Sequence, residues 1–205
     1  HTITVAEPYT GGLLASAFTD IAGASQWFRH SWVTYSNDAK IKELGVTEEA
    51  LNRRGAVSAE VAIQMAQGAR VKADASIALS ITGIAGPSND GSNKKIGTVY
   101  VGIASENWAN SDITEIGGNR AENKIAFVHF ALLTAIKYWD RAMAKAEVAR
   151  KEEESRVAAE EDAKLQFEEE RAKREAEAKE NAPWQEDAWD GDKSTLSKEI
   201  MGHEV

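Results

Sequence analysis

Turn-forming residues divide this chain in two. Thirteen of its fifteen glycines and two of its three prolines lie within the first 140 residues, and residues 141–180 contain neither. The first part has the punctuation that a compact domain needs, and the second can only run as an uninterrupted element. Charge divides at the same place. Residues 1–140 carry 12 Lys+Arg against 14 Asp+Glu, a net of −2, whereas residues 141–205 carry 12 against 19, a net of −7. The whole-chain net charge of −9 is therefore mostly a property of the last 65 residues. We expect a domain over 1–140, an extended charged helix over 141–181, and an acidic tail over 182–205.

Several classes are excluded or disfavoured. No run of about 18 apolar residues is present, so no membrane-spanning helix is expected. No basic-then-apolar leader opens the chain, and the expected location is the cytoplasm or a particle assembled there. With no cysteine, neither a disulfide framework nor a thiolate nucleophile is available. A pI near 5.1 argues against nucleic acid as a partner, which would call for a basic footprint. His30 and His129 stand at no metal-ligand spacing with a carboxylate pair, so neither a metal nor a cofactor is expected.

Residues 2–7 are β-rich, and the Thr10-Gly11-Gly12 turn leads into an apolar helix over 13–18. Residues 28–35 read as a strand, 38–44 and 47–53 as short helices, the second with Thr47 as N-cap. Ser58 opens a longer helix with Val61, Ala62, Met65, Ala66 and Ala69 on one face. Strands follow at 76–82, 97–105 and 112–116, and a helix starts near Arg120. Alternating strands and helices with a late strand pair predict a three-layer α/β/α fold on a mixed sheet. Trp27 and Trp32 are expected to pack within it.

Beyond Trp139 the apolar face thins out. Met143, Val148, Val157, Leu165 and Phe167 are the large apolar residues of 141–180, and their spacing fits no heptad. Glutamate followed four residues later by a base recurs instead, as in Glu147–Lys151, Glu152–Arg156, Glu160–Lys164, Glu169–Lys173, Glu170–Arg174 and Glu175–Lys179. At about 0.3–0.5 kcal/mol each, such pairs support a solvated single helix, on the order of 60 Å long. A partner-binding coiled coil is the alternative. Pro183 ends this helix, and Trp184 and Trp189 among acidic neighbours read either as an idle tail or as anchors docking in a protein partner.

Three loops bare backbone at strand ends. They are the turn with Thr10, Gly11 and Gly12; the Thr82-Gly83-Ile84-Ala85-Gly86-Pro87 loop; and Gly117-Gly118-Asn119-Arg120, which sets Arg120 at a helix start. In an open α/β sheet such loops line the ligand crevice, and a helix N-terminus receives anions. Thr10, Gly11, Gly12, Thr82, Gly83, Ala85, Gly86 and Arg120 are the candidate ligand-binding residues. Glu7 could orient Lys40 or cap the following helix, and capping is expected.

With the block Val33-Thr34-Tyr35-Ser36-Asn37-Asp38-Ala39-Lys40, these loops form a recognisable set. The segments AExxTGGLLAS, DIAGASQWF, VTYSNDAK, GAVS, ITGIAGP and IGTVYVG resemble the C-terminal domain of the CinA competence-damage proteins over residues 2–138. Stand-alone members of that family are the PncC nicotinamide-nucleotide amidases. The resemblance implies a metal-independent hydrolysis of nicotinamide mononucleotide to nicotinate mononucleotide and ammonia. It also implies a serine nucleophile in an A-E-S-x-T-G-G turn, assisted by tyrosine and lysine, here the candidate catalytic residues Tyr35 and Lys40, with Lys40 as base and Arg120 facing phosphate. Pro8 stands where that family has serine, and Tyr9 follows where a small residue is usual.

Proline carries no hydroxyl and no amide hydrogen, so one residue deletes the attacking oxygen and a potential oxyanion donor. Thr10 and Ser36 are the alternative hydroxyls. The chain also starts at the first strand, without the helix the family places before it, which leaves one side of the sheet to be covered by another chain in a homo-oligomer. The reading favoured is a non-catalytic module for assembly or interaction, reaching protein partners through residues 141–205; fold-level analogy extends this to a large particle such as a phage virion. Tyr35 and Lys40 could then persist because they pack in the old cleft. The alternatives are an active nicotinamide-nucleotide amidase and a nucleotide binder that does not hydrolyse.

Overall fold

The computed structural model describes residues 1–89 and 91–181. Trp184, Trp189 and the rest of 182–205 lie outside the described residues. Contacts divide the chain into His1–Ala144 and Lys145–Val205.

The first unit is built on a five-stranded sheet of order β2-β1-β3-β4-β5. Its strands are β1 (Ile3–Ala6), β2 (Phe28–Trp32), β3 (Ile77–Gly83), β4 (Thr98–Ala104) and β5 (Ala109–Glu115). β1 is parallel to both β2 and β3, and β3-β4-β5 form an antiparallel meander. The sheet is therefore mixed, as the late strand pair predicted. The expected strand over 28–35 stops at Trp32, because β1 ends at Ala6, opposite Trp32, and offers no further ladder partner. Conversely β5 begins three residues before the expected 112, where Ala109-Asn110-Ser111 has little strand propensity. There the Ser105–Trp108 turn sets the register, Ala104 facing Ala109.

Strand side chains alternate between two cores. Ile77, Leu79 and Ile81 of β3 join Val5, Val99, Val101 and Ile103 on one face, covered by Leu14 and Phe18 of α1 (Leu13–Thr19) and by Phe127, Val128 and Ala131 of α5 (Arg120–Asn181). Ala78 and Ala104 face the other side. There they meet α2 (Asn37–Leu44), α3 (Glu48–Arg54) and α4 (Ala59–Ala73), the last through Val61, Met65, Ala66 and Ala69. Both faces of the sheet carry helices, so the expected open side is absent. The large apolar groups that α5 leaves exposed in this unit are Ile125, Leu133, Ile136 and Met143. Trp27 packs on the first core and Trp32 on the second.

Local signals explain the helix starts. Ser36, Thr47 and Ser58 each accept a hydrogen bond from the amide three residues on, capping α2, α3 and α4. Asn119 and Glu122 do this reciprocally at α5: the Asn119 side chain accepts from the Ala121 and Glu122 amides, and Glu122 accepts from the Asn119 amide. Two close approaches need glycine. A Cβ at Gly102 of β4 would lie 2.2 Å from the Ala62 carbonyl oxygen of α4, and one at Gly68 of α4 would lie 1.8 Å from the Leu44 carbonyl oxygen of α2.

In the second unit the described residues are the remaining turns of α5, all exposed. Of the anticipated pairs, Glu147–Lys151 (2.8 Å) and Glu170–Arg174 (3.5 Å) form. Arginines redirect others: Arg156 lies 2.7 Å from Glu153 rather than pairing with Glu152, and Arg171 meets Glu175 at 2.8 Å. The Arg171–Glu175 pair is base-first, an order that opposes the helix dipole and supports the helix less than the glutamate-first order.

Candidate active site

The turn after β1 is organised by a buried acid. Glu7 is fully buried, and its two carboxylate oxygens accept from the amides of Leu14 (3.1 Å) and Ala15 (2.9 Å). Gly12, the residue before α1, supplies no side-chain cap. Glu7 satisfies the open helix N-terminus in its place, from five residues further back along the chain, where an anion also meets the positive end of the helix dipole. Its role is capping, as expected, and Lys40 is held by other groups.

Between Glu7 and α1 the chain reverses through Gly11 (φ 68°) and Gly12 (φ 99°), with the Gly11 amide donating to the Pro8 carbonyl. This left-handed pair is what glycine permits at no steric cost. The turn places Pro8 and Tyr9 on the wall of a cleft of about 570 Å³. Thr10, Gly11 and Gly12 do not line it. Thr10 is fully buried.

On the facing side Lys40, only 3% exposed, donates from Nζ to the carbonyls of Tyr35 (3.2 Å) and Ser36 (3.4 Å). Burial pulls its pKa from 10.5 down to about 8, because a low-dielectric site disfavours the ammonium. Below about pH 8 the proton is bound in the folded and unfolded states alike, and the folded state bears the full cost of burying the charge. Between about 8 and 10.5 the unfolded chain binds more protons than the folded one, so this residue's contribution to stability rises with pH. Urea titrations of the wild type and Lys40→Met are expected to separate across that window, the wild type gaining on the variant by about 3 kcal/mol. Parallel curves would rule out a depressed Lys40.

The ITGIAGP loop is pinned from two sides. Thr82 Oγ1 donates to the Ala56 carbonyl at 2.8 Å, tying β3 to the GAVS turn. From the start of α5, Asn123 donates to the Ala85 carbonyl (3.0 Å), and Arg120 donates to the Gly86 carbonyl (2.6 Å) and to Tyr35 Oη (3.2 Å). Arg120 thus joins the second and third predicted loops to the VTYSNDAK block, although these stretches are up to 85 residues apart in sequence. Gly83 interlocks with Tyr9: a Cβ there would sit 2.5 Å from Tyr9 Oη and 2.5 Å from the Thr98 carbonyl oxygen. The Tyr9 phenol is buried, and burial first, then the Glu7 carboxylate, raises its pKa well above 10, so it stays neutral.

Tyr35, Lys40, Thr82, Gly83, Ala85, Gly86 and Arg120 all line the cleft. The lining residues that escaped the sequence reading include Asn37, Arg54 and Lys94. Asn37 stands inside the VTYSNDAK block and could have been read from it. Arg54 and Lys94 lack such a signal, since a base ending a helix and a base in a polar loop are ordinary surface features. Among the described residues, the lining carries four cationic side chains and no carboxylate, an arrangement suited to an anionic ligand. No group of three or more His, Asp or Glu fit to hold a metal occurs among the described residues. Nor is any described helix long and apolar enough to cross a membrane.

The two alternative hydroxyls are not among the lining groups. Ser36 Oγ accepts from the Ala39 amide at 3.0 Å as the cap of α2, and neither Ser36 nor Thr10 lines the cleft.

Residues 1–139 match the family model described as the CinA C-terminal domain. A nicotinamide-nucleotide amidohydrolase PncC of Enterobacter agglomerans is 43% identical over 136 residues, 66% of this chain and 83% of that protein. A CinA-like protein of Geotalea daltonii is 43% identical over 131 residues, 64% of this chain but 32% of its own length. The chain thus matches about a third of the length of such CinA-like relatives. Among solved structures, a competence/damage-inducible protein CihA of Agrobacterium tumefaciens superposes with a TM-score of 0.64 at 40% identity, covering 66% of this chain and 84% of that one. A CinA superfamily protein of Escherichia coli gives 0.63 at 33% identity, covering 67% and 80%.

Proposed function

Because the chain belongs to the CinA C-terminal domain family, we propose that it keeps the family's nucleotide cleft and binds a nicotinamide nucleotide there without hydrolysing it at enzymatic rates. The observation that carries this reading is Pro8 on the cleft wall, where the resemblance calls for a nucleophilic serine. Proline cannot attack a carboxamide, and neither Thr10 nor Ser36 lines the cleft. The rest of the frame supports binding. Lys40 and Arg120 line the cleft, and Arg120 is hydrogen-bonded to a carbonyl and a phenol rather than to a carboxylate, so its charge is left for an anionic group.

A domain of this kind serves interaction rather than turnover. Residues 141–205, exposed along nearly all of their described length, are the segment through which it meets protein partners. The amidohydrolase named among its relatives is the reference activity. Nicotinamide mononucleotide at about 100 times its dissociation constant should stabilise the full chain by about 2.7 kcal/mol, a rise of several degrees in Tm. In the same samples ammonia release should stay at the uncatalysed level. Turnover at an ordinary enzyme rate, about 1 s⁻¹ or more, would overturn the non-hydrolysing reading, and no thermal shift at millimolar ligand would overturn the binding.

A further inference from the structure

The cleft does not end where Lys40 and Arg120 face it. It adjoins an open hollow of about 520 Å³ whose lining includes Arg53, Ser58, Glu60 and Tyr100, and Arg54 and Lys94 line both spaces. Tyr35, Lys40 and Arg120 line the cleft and not the hollow; Tyr100 lines the hollow and not the cleft. Arg54 and Lys94 therefore stand at the neck between two compartments.

Both cations are weakly engaged. Glu60 turns one oxygen to Arg53 at 2.7 Å, and its other oxygen is 4.0 Å from Arg54 Nε. Lys94 Nζ donates to the Arg54 carbonyl at 3.3 Å, a neutral acceptor, and has no ion pair among the described residues. Two under-neutralised cations side by side match a group with several anionic oxygens better than a single charge. Beyond them Tyr100 supplies an aromatic group, a common stacking partner for a nucleobase.

We infer that the joined compartments take a dinucleotide: one nucleoside in the cleft, the bridging diphosphate at Arg54 and Lys94, and the second nucleoside in the hollow beside Tyr100. A mononucleotide fills one compartment and leaves the other, with its aromatic group, unused. This rests on the reading of the cleft as a nicotinamide-nucleotide site and names the larger ligand class that the site fits.

Calorimetric titration of the full chain at low salt, with nicotinamide mononucleotide and nicotinamide adenine dinucleotide as probes, tests it. The dinucleotide should bind at least about tenfold more tightly, with a preference that shrinks as salt is raised. Arg54→Gln combined with Lys94→Gln should abolish the preference, weakening the dinucleotide more than the mononucleotide, and Tyr100→Leu, which lies outside the cleft lining, should weaken the dinucleotide alone. Equal affinities in the wild type, or a double variant that weakens both probes alike, would overturn the inference while the cleft reading stands. Binding of neither probe overturns both. Should the double variant fail to fold, the wild-type comparison and its salt dependence decide.

Discussion

Serine at position 8 is expected to raise ammonia release from nicotinamide mononucleotide at least about a thousandfold over the wild-type chain. The size follows from what Pro8 lacks. A covalent mechanism without its nucleophile retains only what binding and positioning supply, and removing a nucleophile elsewhere costs up to about six orders of magnitude. Here the surrounding frame is in place: Lys40 is buried with a pKa near 8, close to where a base works best at neutral pH. Arg120 bridges Tyr35 and Gly86 across the cleft. Serine would also restore an amide hydrogen that proline removes. The turn tolerates the change, because the Gly11 amide bonds to the carbonyl of residue 8, which any residue provides. Pro8→Ala is the control: it restores the amide without the hydroxyl and should stay silent. If Pro8→Ser releases ammonia no faster than Pro8→Ala while both remain folded, the lesion is not at position 8. Adding Lys40→Met to Pro8→Ser should return the rate toward that of Pro8→Ala, since Lys40, which lines the same cleft, is the base that the family resemblance assigns.

The second large effect is on stability. Gly68→Ala should destabilise the first unit by about 3 kcal/mol or more, a substantial part of the roughly 5–15 kcal/mol that holds a domain folded. Helix propensity alone gives the opposite sign, because alanine in a helix interior is favoured over glycine by about 1 kcal/mol. Tertiary contact decides. The added carbon would meet the Leu44 carbonyl oxygen at 1.8 Å and its carbonyl carbon at 2.6 Å. These are backbone atoms at the end of α2, and no rotamer change can move them. Either α2 and α4 separate, opening the core that Leu44 shares with Met65, or the end of α2 unwinds. A urea midpoint for Gly68→Ala equal to or above that of the wild type would contradict this packing.

Much of the fold could be read from the chain, because the signals were local. Ser36, Thr47 and Ser58 each sit where a helix opens and do cap it. The apolar stretches over 76–82 and 97–105 became β3 and β4 to within a residue. Errors fell where a partner sets the limit. β2 ends because β1 is short, and β5 starts early because a hairpin fixes its register. The expected open face of the sheet is filled by α1 and the first turns of α5. The site shows the same division. Tyr35, Lys40, Gly83, Gly86 and Arg120 carried motif signals and do line one cleft, whereas Arg54 and Lys94 carried none. A surface base acquires meaning only from what stands opposite it.

The uneven placement of glycine and proline determined the most that this sequence could determine alone. Backbone conformation depends on the residue that adopts it, so glycine and proline gathered in the first 140 residues and absent from 141–180 mean a punctuated α/β domain and then an unbroken helix, and α5 does run without a break to Asn181. The identity of residue 8, and with it the missing hydroxyl, is likewise a fact of the chain. Tertiary structure decided what each such residue faces. It turned Glu7 onto α1 and away from Lys40, left Thr10 out of the cleft lining, committed Ser36 to a cap, and gathered Arg120 and Tyr35 from 85 positions apart. Direction and distance between side chains arise from packing across the sheet, which no local pattern encodes.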